Sequence, residues 1–386
     1  MKRPTWTLFG ALLCGLAALG AAAPAARASD EEKAVQKKPL VEIAILLDTS
    51  NSMDGLIDQA RARLWSIVNT IALSKRNGET PDLRVALFEY GNSGLSAAEG
   101  FIRMVVPLSR DLDKISAELF ALKTMGGDEF CGQVIRAAVE RLDWTPGDAY
   151  RAIFIAGNEP FTQGPVDFRG SCTAAIAKGI TVNTIHCGSE QDGRDGLWDE
   201  GARLADGSFL NIDQDAATVA IPTPYDETLA KLSERLNGTY IPFGAHGKER
   251  KEMQARQDAN ATAAAPGASA QRAIAKANAA YRNADWDLCD ACTEKVVDLA
   301  TAKDEDLPEV MRKMSLEEKK AYVTKKIEER KAIQDEIKKT SAERDAFIAV
   351  ERKKQAEAGA ETFETAVQKV LEEQMKKKGF EVERKH

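Results

Sequence analysis

Apolar and polar positions along the chain fall into two regimes that change near residue 245. Up to that point, short apolar runs alternate with stretches in which apolar residues recur every three or four positions. Val41, Ile43, Ala44, Ile45, Leu46 and Leu47 form a run of strand type. From residue 53 to about 74, Leu56, Ala60, Leu64, Ile67 and Ile71 mark one face of a helix. Further strands are predicted at 83–90, 101–108, 151–156, 180–187 and 238–243. Helices are predicted at about 110–123, 131–142, 174–178 and 227–236. A helix–turn–strand insertion is predicted at 198–213. Strands alternating with helices predict an α/β fold, a doubly wound and mostly parallel sheet covered on both faces.

Beyond Gly244 the apolar runs stop. Residues 246–285 are rich in Ala, Gln and charge, contain Pro266-Gly267, and read as a linker that is partly helical. Residues 286–386 read as an all-α, charged, coiled-coil-like region. Ser315 and Glu318 have the spacing of a capping box, so a long helix is predicted from 316 to about 356. Its apolar positions are sparse, Gly359 breaks it, and a last amphipathic helix carries Phe363, Val367, Val370 and Leu371. Such helices can pair as a hairpin, dock on a partner, or stand as a solvated helix of opposite-charge pairs.

The first 28 residues have a separate character. Lys2 and Arg3 precede an apolar run over residues 6–23, and Ala26-Arg27-Ala28 supplies a small-x-small cleavage pattern. This predicts a secretory signal peptide and a periplasmic or secreted mature protein. No second long apolar segment follows, so no transmembrane span is expected in the mature chain. The 53 basic and 60 acidic residues leave a net charge of −7, which does not suit a nucleic-acid partner.

The candidate chemistry sits after the first predicted strand. Asp48-Thr49-Ser50-Asn51-Ser52 places a carboxylate and two hydroxyls at the carboxyl edge of a parallel sheet, where ligands of such folds bind. Hard oxygens of this kind suit Mg²⁺ or Ca²⁺. The Asp-x-Ser-x-Ser pattern, in the run Ile45–Met53, resembles the first element of the metal-ion-dependent adhesion site of von Willebrand factor type A domains. The resemblance covers about residues 39–245. It implies a divalent ion whose shell is completed by a carboxylate of a partner protein. Two later elements depart from the family pattern: Asp128 stands where a Thr is usual, and Gly157 where an Asp is usual. The metal set implied is Asp48, Ser50, Ser52 and Asp128, with Glu129, Asn158 and Glu159 as further oxygen donors. The added carboxylate lowers the ion's residual charge and weakens its pull on an acidic partner group. Alternatively, Asp48 caps the helix and the site holds nothing.

Export places the cysteines in an oxidising compartment. Cys131, Cys172 and Cys187 fall near one sheet edge and are disulfide candidates, Cys172 with Cys187 first, buried thiols being the other reading. Cys289 and Cys292 form a Cys-x-x-Cys outside any thioredoxin-like strand–helix setting. His186, His246 and His386 do not cluster with a nucleophile. The leading expectation is therefore a non-enzymatic, exported binding or adhesion module that engages a protein partner through a metal. The alternative is a metal-free structural type A spacer whose helical tail makes the contact. A thiol oxidoreductase working through Cys289 and Cys292 is a third reading.

Overall fold

The computed structural model describes residues 38–212, 221–265, 267–355 and 363–382. The signal-peptide segment with Cys14, the break at Gly359 and His386 lie outside them. Within the described residues the strands are β1 (Leu40–Asp48), β2 (Ser74–Lys75), β3 (Asp82–Tyr90), β4 (Ile102–Ser109), β5 (Ala149–Gly157), β6 (Thr181–Cys187), β7 (Phe209–Ile212) and β8 (Glu381–Val382). Six of them make one sheet in the order β4-β3-β1-β5-β6-β7. All neighbours are parallel except β3 and β4. β1 lies between β3 and β5, so the connections diverge beside it and a switch point forms at its carboxyl end. β7 comes from the 198–213 insertion.

Strand alternation explains how the sheet is buried. Val41, Ile43 and Leu47 of β1 belong to one apolar core, and Ala44 and Leu46 to the other. The first face is covered by α1 (Asp54–Ala72) and α2 (Leu112–Ala121). The second is covered by α3 (Cys131–Arg141), α4 (Phe168–Ala177) and, after the short α5 (Glu190–Asp195), α6 (Trp198–Leu204). α7 (Asp226–Asn237) returns to the first face through Leu229, Leu232 and Leu236.

The segment read as a linker is helical and packed: α8 (Gly247–Ala264) and α9 (Ala268–Lys276). Its polar composition is misleading because two of its cations, Arg272 and Lys276, are buried and paired. Arg272 donates to Asp113 of α2 at 2.8 Å, pairs with Asp258 of α8, and lies 4.5 Å from the Trp65 ring centre. Lys276, fully buried, reaches Asp258 at 2.9 Å and Ser233 of α7 at 2.9 Å. The small faces of Ala270 and Ala273 enter the first core. The predicted strand at 238–243 does not join the sheet. The amide of Ile241 donates to the Asp287 carboxylate, and Leu288 and Trp286 bond back to 241–243.

The C-terminal region is α-helical: α10 (Leu288–Thr293), α11 (Glu309–Arg312), α12 (Leu316–Gln355) and α13 (Phe363–Lys377). The capping box forms, with the Ser315 amide donating to the Glu318 carboxylate at 2.8 Å. α12 is not a solvated single helix over its first two thirds. Ile333 and Ile337 enter the first core, and Arg330 binds Asp287 and Asp290, each at 2.7 Å. α13 lies on the sheet: the Tyr150 hydroxyl donates to the Gln374 amide oxygen at 2.7 Å, and the Gln374 amide nitrogen donates to Asn183 at 2.6 Å. β8 then pairs antiparallel with β2. No helix among the described residues is long and apolar enough to cross a membrane.

Candidate functional site

The carboxyl end of β1 delivers Asp48 to the switch point. The chain then makes a 3-10 turn at Asn51–Met53 before α1 begins. Asp48 is fully buried. Its Oδ1 accepts from the Ser50 amide at 2.8 Å, so it closes a local turn rather than capping α1. Its Oδ2 is buried and has no hydrogen-bond partner. The Ser50 and Ser52 hydroxyl oxygens lie 3.2 Å apart.

Two glycines make room for this carboxylate. A Cβ at Gly91 would stand 2.7 Å from Asp48 Oδ1 and 2.8 Å from Glu129 Cγ. A Cβ at Gly157 would stand 2.5 Å from the Tyr90 hydroxyl and 3.1 Å from Asp48 Oδ2. Gly157, where the type A pattern has Asp, thus lies against Asp48 itself. The loop before α3 presses Gly127 onto the backbone of residues 91–93. In that register Asp128 is exposed and Glu129 is buried. The Glu129 amide donates to the Gln163 side-chain oxygen at 2.6 Å. Burial, with the neighbouring Glu129 and Glu159 charges, pushes the Asp48 carboxyl up to about 7. Burial and Glu159 push Glu129 up to about 7 as well. Asn158 follows Gly157, and its Oδ1 is also buried without a partner. Its carbonyl oxygen lies 3.2 Å from His186 Nε2.

The metal expectation is weakened here. Asp48, Ser50 and Ser52 come together with the buried Glu129, Asp128 is exposed, and Gly157 adds no side-chain oxygen. Among the described residues no three His, Cys, Asp or Glu side chains gather where they could hold a metal ion. This weakens the metal reading, because it leaves Asp48 and Glu129 as the carboxylates beside the Ser50 and Ser52 hydroxyls.

The disulfide expectation is also corrected. Cys131, Cys172, Cys187, Cys289 and Cys292 are free thiols. Cys172 packs in the core on one face of the sheet and Cys187 in the core on the other, so the sheet itself separates the favoured pair. Burial raises all five thiols, Cys172 and Cys289 to about 12. This is opposite to the lowered pKa of a reactive cysteine, and it removes the support for thiol chemistry at Cys289 and Cys292. His186 packs edge-on to Trp198 and its Nδ1 lies 3.0 Å from Asn211 Oδ1. Adjacent Cys187 faces the opposite core.

In the sequence Glu129 stands only as a further oxygen donor beside Asp128, because the side that faces Asp48 is set by Gly127 packing on the 91–93 backbone. Tyr90 carried no signal at all. Its role depends on β3 lying beside β1.

The fold and this edge define the chain's class: a doubly wound α/β module with an Asp-x-Ser-x-Ser turn at its switch point, followed by an all-α region. No known family profile matches the chain, and no curated protein matches it in sequence. Several solved structures are similar to it over a little under half its length. It is similar to the conserved hypothetical protein BatB from Bacteroides thetaiotaomicron at 18% identity and TM-score 0.34, covering 45% of this chain and 90% of that one. It is similar to a von Willebrand factor type A protein from Catenulispora acidiphila at 18% identity and TM-score 0.34, covering 45% and 39%. It is similar to the pilus adhesin SpaC from Lactobacillus rhamnosus GG at 15% identity and TM-score 0.35, covering 47% and 29%.

Proposed function

We propose that the chain is an exported, non-catalytic protein-binding module that engages its partner at the carboxyl edge of the sheet without a resident metal ion. The observation that carries this reading is the unpaired Asp48 Oδ2, buried at the switch point of the sheet. A buried carboxylate oxygen with no partner costs stability. A fold serving only as a spacer has no reason to keep one at its ligand edge. The raised thiols and the dispersed histidines supply no nucleophile there. The apolar run and Ala-x-Ala site at the N-terminus support export.

The test is retention of native envelope proteins on the immobilised mature chain, with and without chelator. Capture that is saturable and unchanged by chelator supports the reading. Capture abolished by chelator and restored by Mg²⁺ overturns its metal-free part. A second reading places the contact on the helical region. It is favoured by Val296 and Val310, which are 63% and 57% exposed. Loss of capture in Val296→Lys or Val310→Lys, with Asp48→Asn silent, would favour that surface.

A further inference from the structure

The fully or nearly fully buried carboxylates among the described residues are Glu42, Asp48, Glu89, Asp113, Glu129 and Asp287. Four of them have a guanidinium. Glu42 pairs with Arg84 and Glu89 with Arg103, each at 2.5 Å. Asp113 pairs with Arg272 at 2.8 Å and Asp287 with Arg330 at 2.7 Å. The physical reason is general: a buried carboxylate is tolerated when a cation and hydrogen bonds replace its water. Asp48 and Glu129 are the two exceptions. Among the described residues neither has an ion-pair partner. The charges that raise Asp48 are those of Glu129 and Glu159, and those that raise Glu129 are of Glu159 and Asp128.

These two exceptions are neighbours, and they sit at the one edge of the sheet where ligands of such folds bind. The side chains around them offer acceptors. Asp48 Oδ2 is fully buried and unpartnered on the side of Gly157, at the head of the loop carrying Asn158 and Glu159. Asn158 Oδ1 is a second buried acceptor without a donor. The neighbouring loops add Glu159 and the exposed Asp128, so the approach is acidic. A group that satisfies such a site must be cationic and rich in N–H donors. Arg is the residue whose planar fork meets paired carboxylates.

We infer that the Asp48–Glu129 edge receives an arginine side chain of the partner protein, supplying in trans the guanidinium that Glu42, Glu89, Asp113 and Asp287 each receive in cis. This rests on the reading of the chain as a protein-binding module and names the chemistry of its partner. It reverses the polarity that the type A resemblance implies, where a metal draws in an acidic partner group.

The probes are the blocked peptide acetyl-Gly-Gly-Arg-Gly-Gly-amide, its citrulline counterpart, which keeps the shape and loses the charge, and Mg²⁺ alone. Each is titrated into the mature chain at pH 8, with binding read from amide chemical shifts at millimolar ligand. The expected result is saturable shifts at Ser50, Gly91 and Glu129 with the arginine peptide and at least tenfold weaker binding of the citrulline peptide. Asp48→Asn and Glu129→Gln should each lose that binding while keeping the wild-type spectrum elsewhere. Equal binding of the two peptides, no binding of either, or saturable Mg²⁺ binding at these amides would overturn the inference. Envelope capture that survives both substitutions would overturn it too, while leaving the binding-module reading standing. Loss of capture in wild type would remove that reading itself.

Discussion

The α-carbon of Gly157 faces the hydroxyl of Tyr90 so closely that a Cβ there would stand 2.5 Å from that oxygen. The same hydroxyl donates to the Ala156 carbonyl at 3.0 Å, so it is not free to swing away. The contact crosses β1, since Tyr90 ends β3 and Gly157 ends β5. It packs the floor beneath Asp48.

Gly157→Ala should therefore destabilise the fold by about 1–3 kcal/mol through overpacking. In a Tyr90→Phe background the added methyl has more room, so the cost should fall by half or more. A double-mutant cycle by urea denaturation measures this. Additive effects would show that the two positions do not press on each other.

Asp48 gives a stability prediction with a definite sign. Its carboxyl is raised from 3.8 to about 7 in the folded chain. The native state therefore holds a proton that the unfolded state releases, and stability falls as pH rises from about 4 to about 7. Above that window the full penalty is present. Asp48→Asn keeps the acceptor for the Ser50 amide and removes the charge. At about 1.4 kcal/mol per pKa unit, it should stabilise the protein by roughly 2–4 kcal/mol at pH 8 and by little at pH 4. Melting curves at the two pH values check this. A variant less stable than wild type at pH 8 would contradict the unpaired state of the carboxyl.

Arg272 joins α9 to α2 and α8 and is fully buried. Arg272→Ala leaves Asp113 without its buried cation and should cost about 3–5 kcal/mol. The wild type should resist limited proteolysis over 246–285, and the loss should expose that segment to it. If wild type is cut first in this segment, the packed helices α8 and α9 are not stable in solution.

Gln374 fastens α13 to the sheet. Gln374→Ala strands the Tyr150 hydroxyl and the Asn183 amide, two buried groups, at about 1–3 kcal/mol each. Hydrogen exchange should quicken first over α13 and β8, with β1 and β5 unchanged. Uniform loss of protection across the sheet would mean that α13 folds as one unit with the central strands.

The periodicities of the first 245 residues determined most of the sheet. Apolar runs at β1, β3, β5 and β6 are buried on both faces, so local composition and tertiary burial agree there, and the turn after β1 follows from strand and helix order. The capping box at Ser315 was equally legible, because its two partners lie three residues apart. What the sequence could not determine were relationships between distant elements. The charged segment 246–285 reads as solvated until Asp113, from another helix, is placed beside Arg272; a buried charge and an exposed one have the same letter. Residues 238–243 read as a strand, but an edge for them to join does not follow from their alternation, and Asp287 takes their amide instead. Cys172 and Cys187 read as partners because both lie near one end of the sheet, and only the sheet's thickness between them keeps them apart. At the site, Asp48 was determined by local pattern, whereas the choice of Glu129 over Asp128 was made by Gly127 packing on the 91–93 backbone. Local order is written in spacing along the chain, and burial, charge pairing and facing direction arise only when the strands are set side by side.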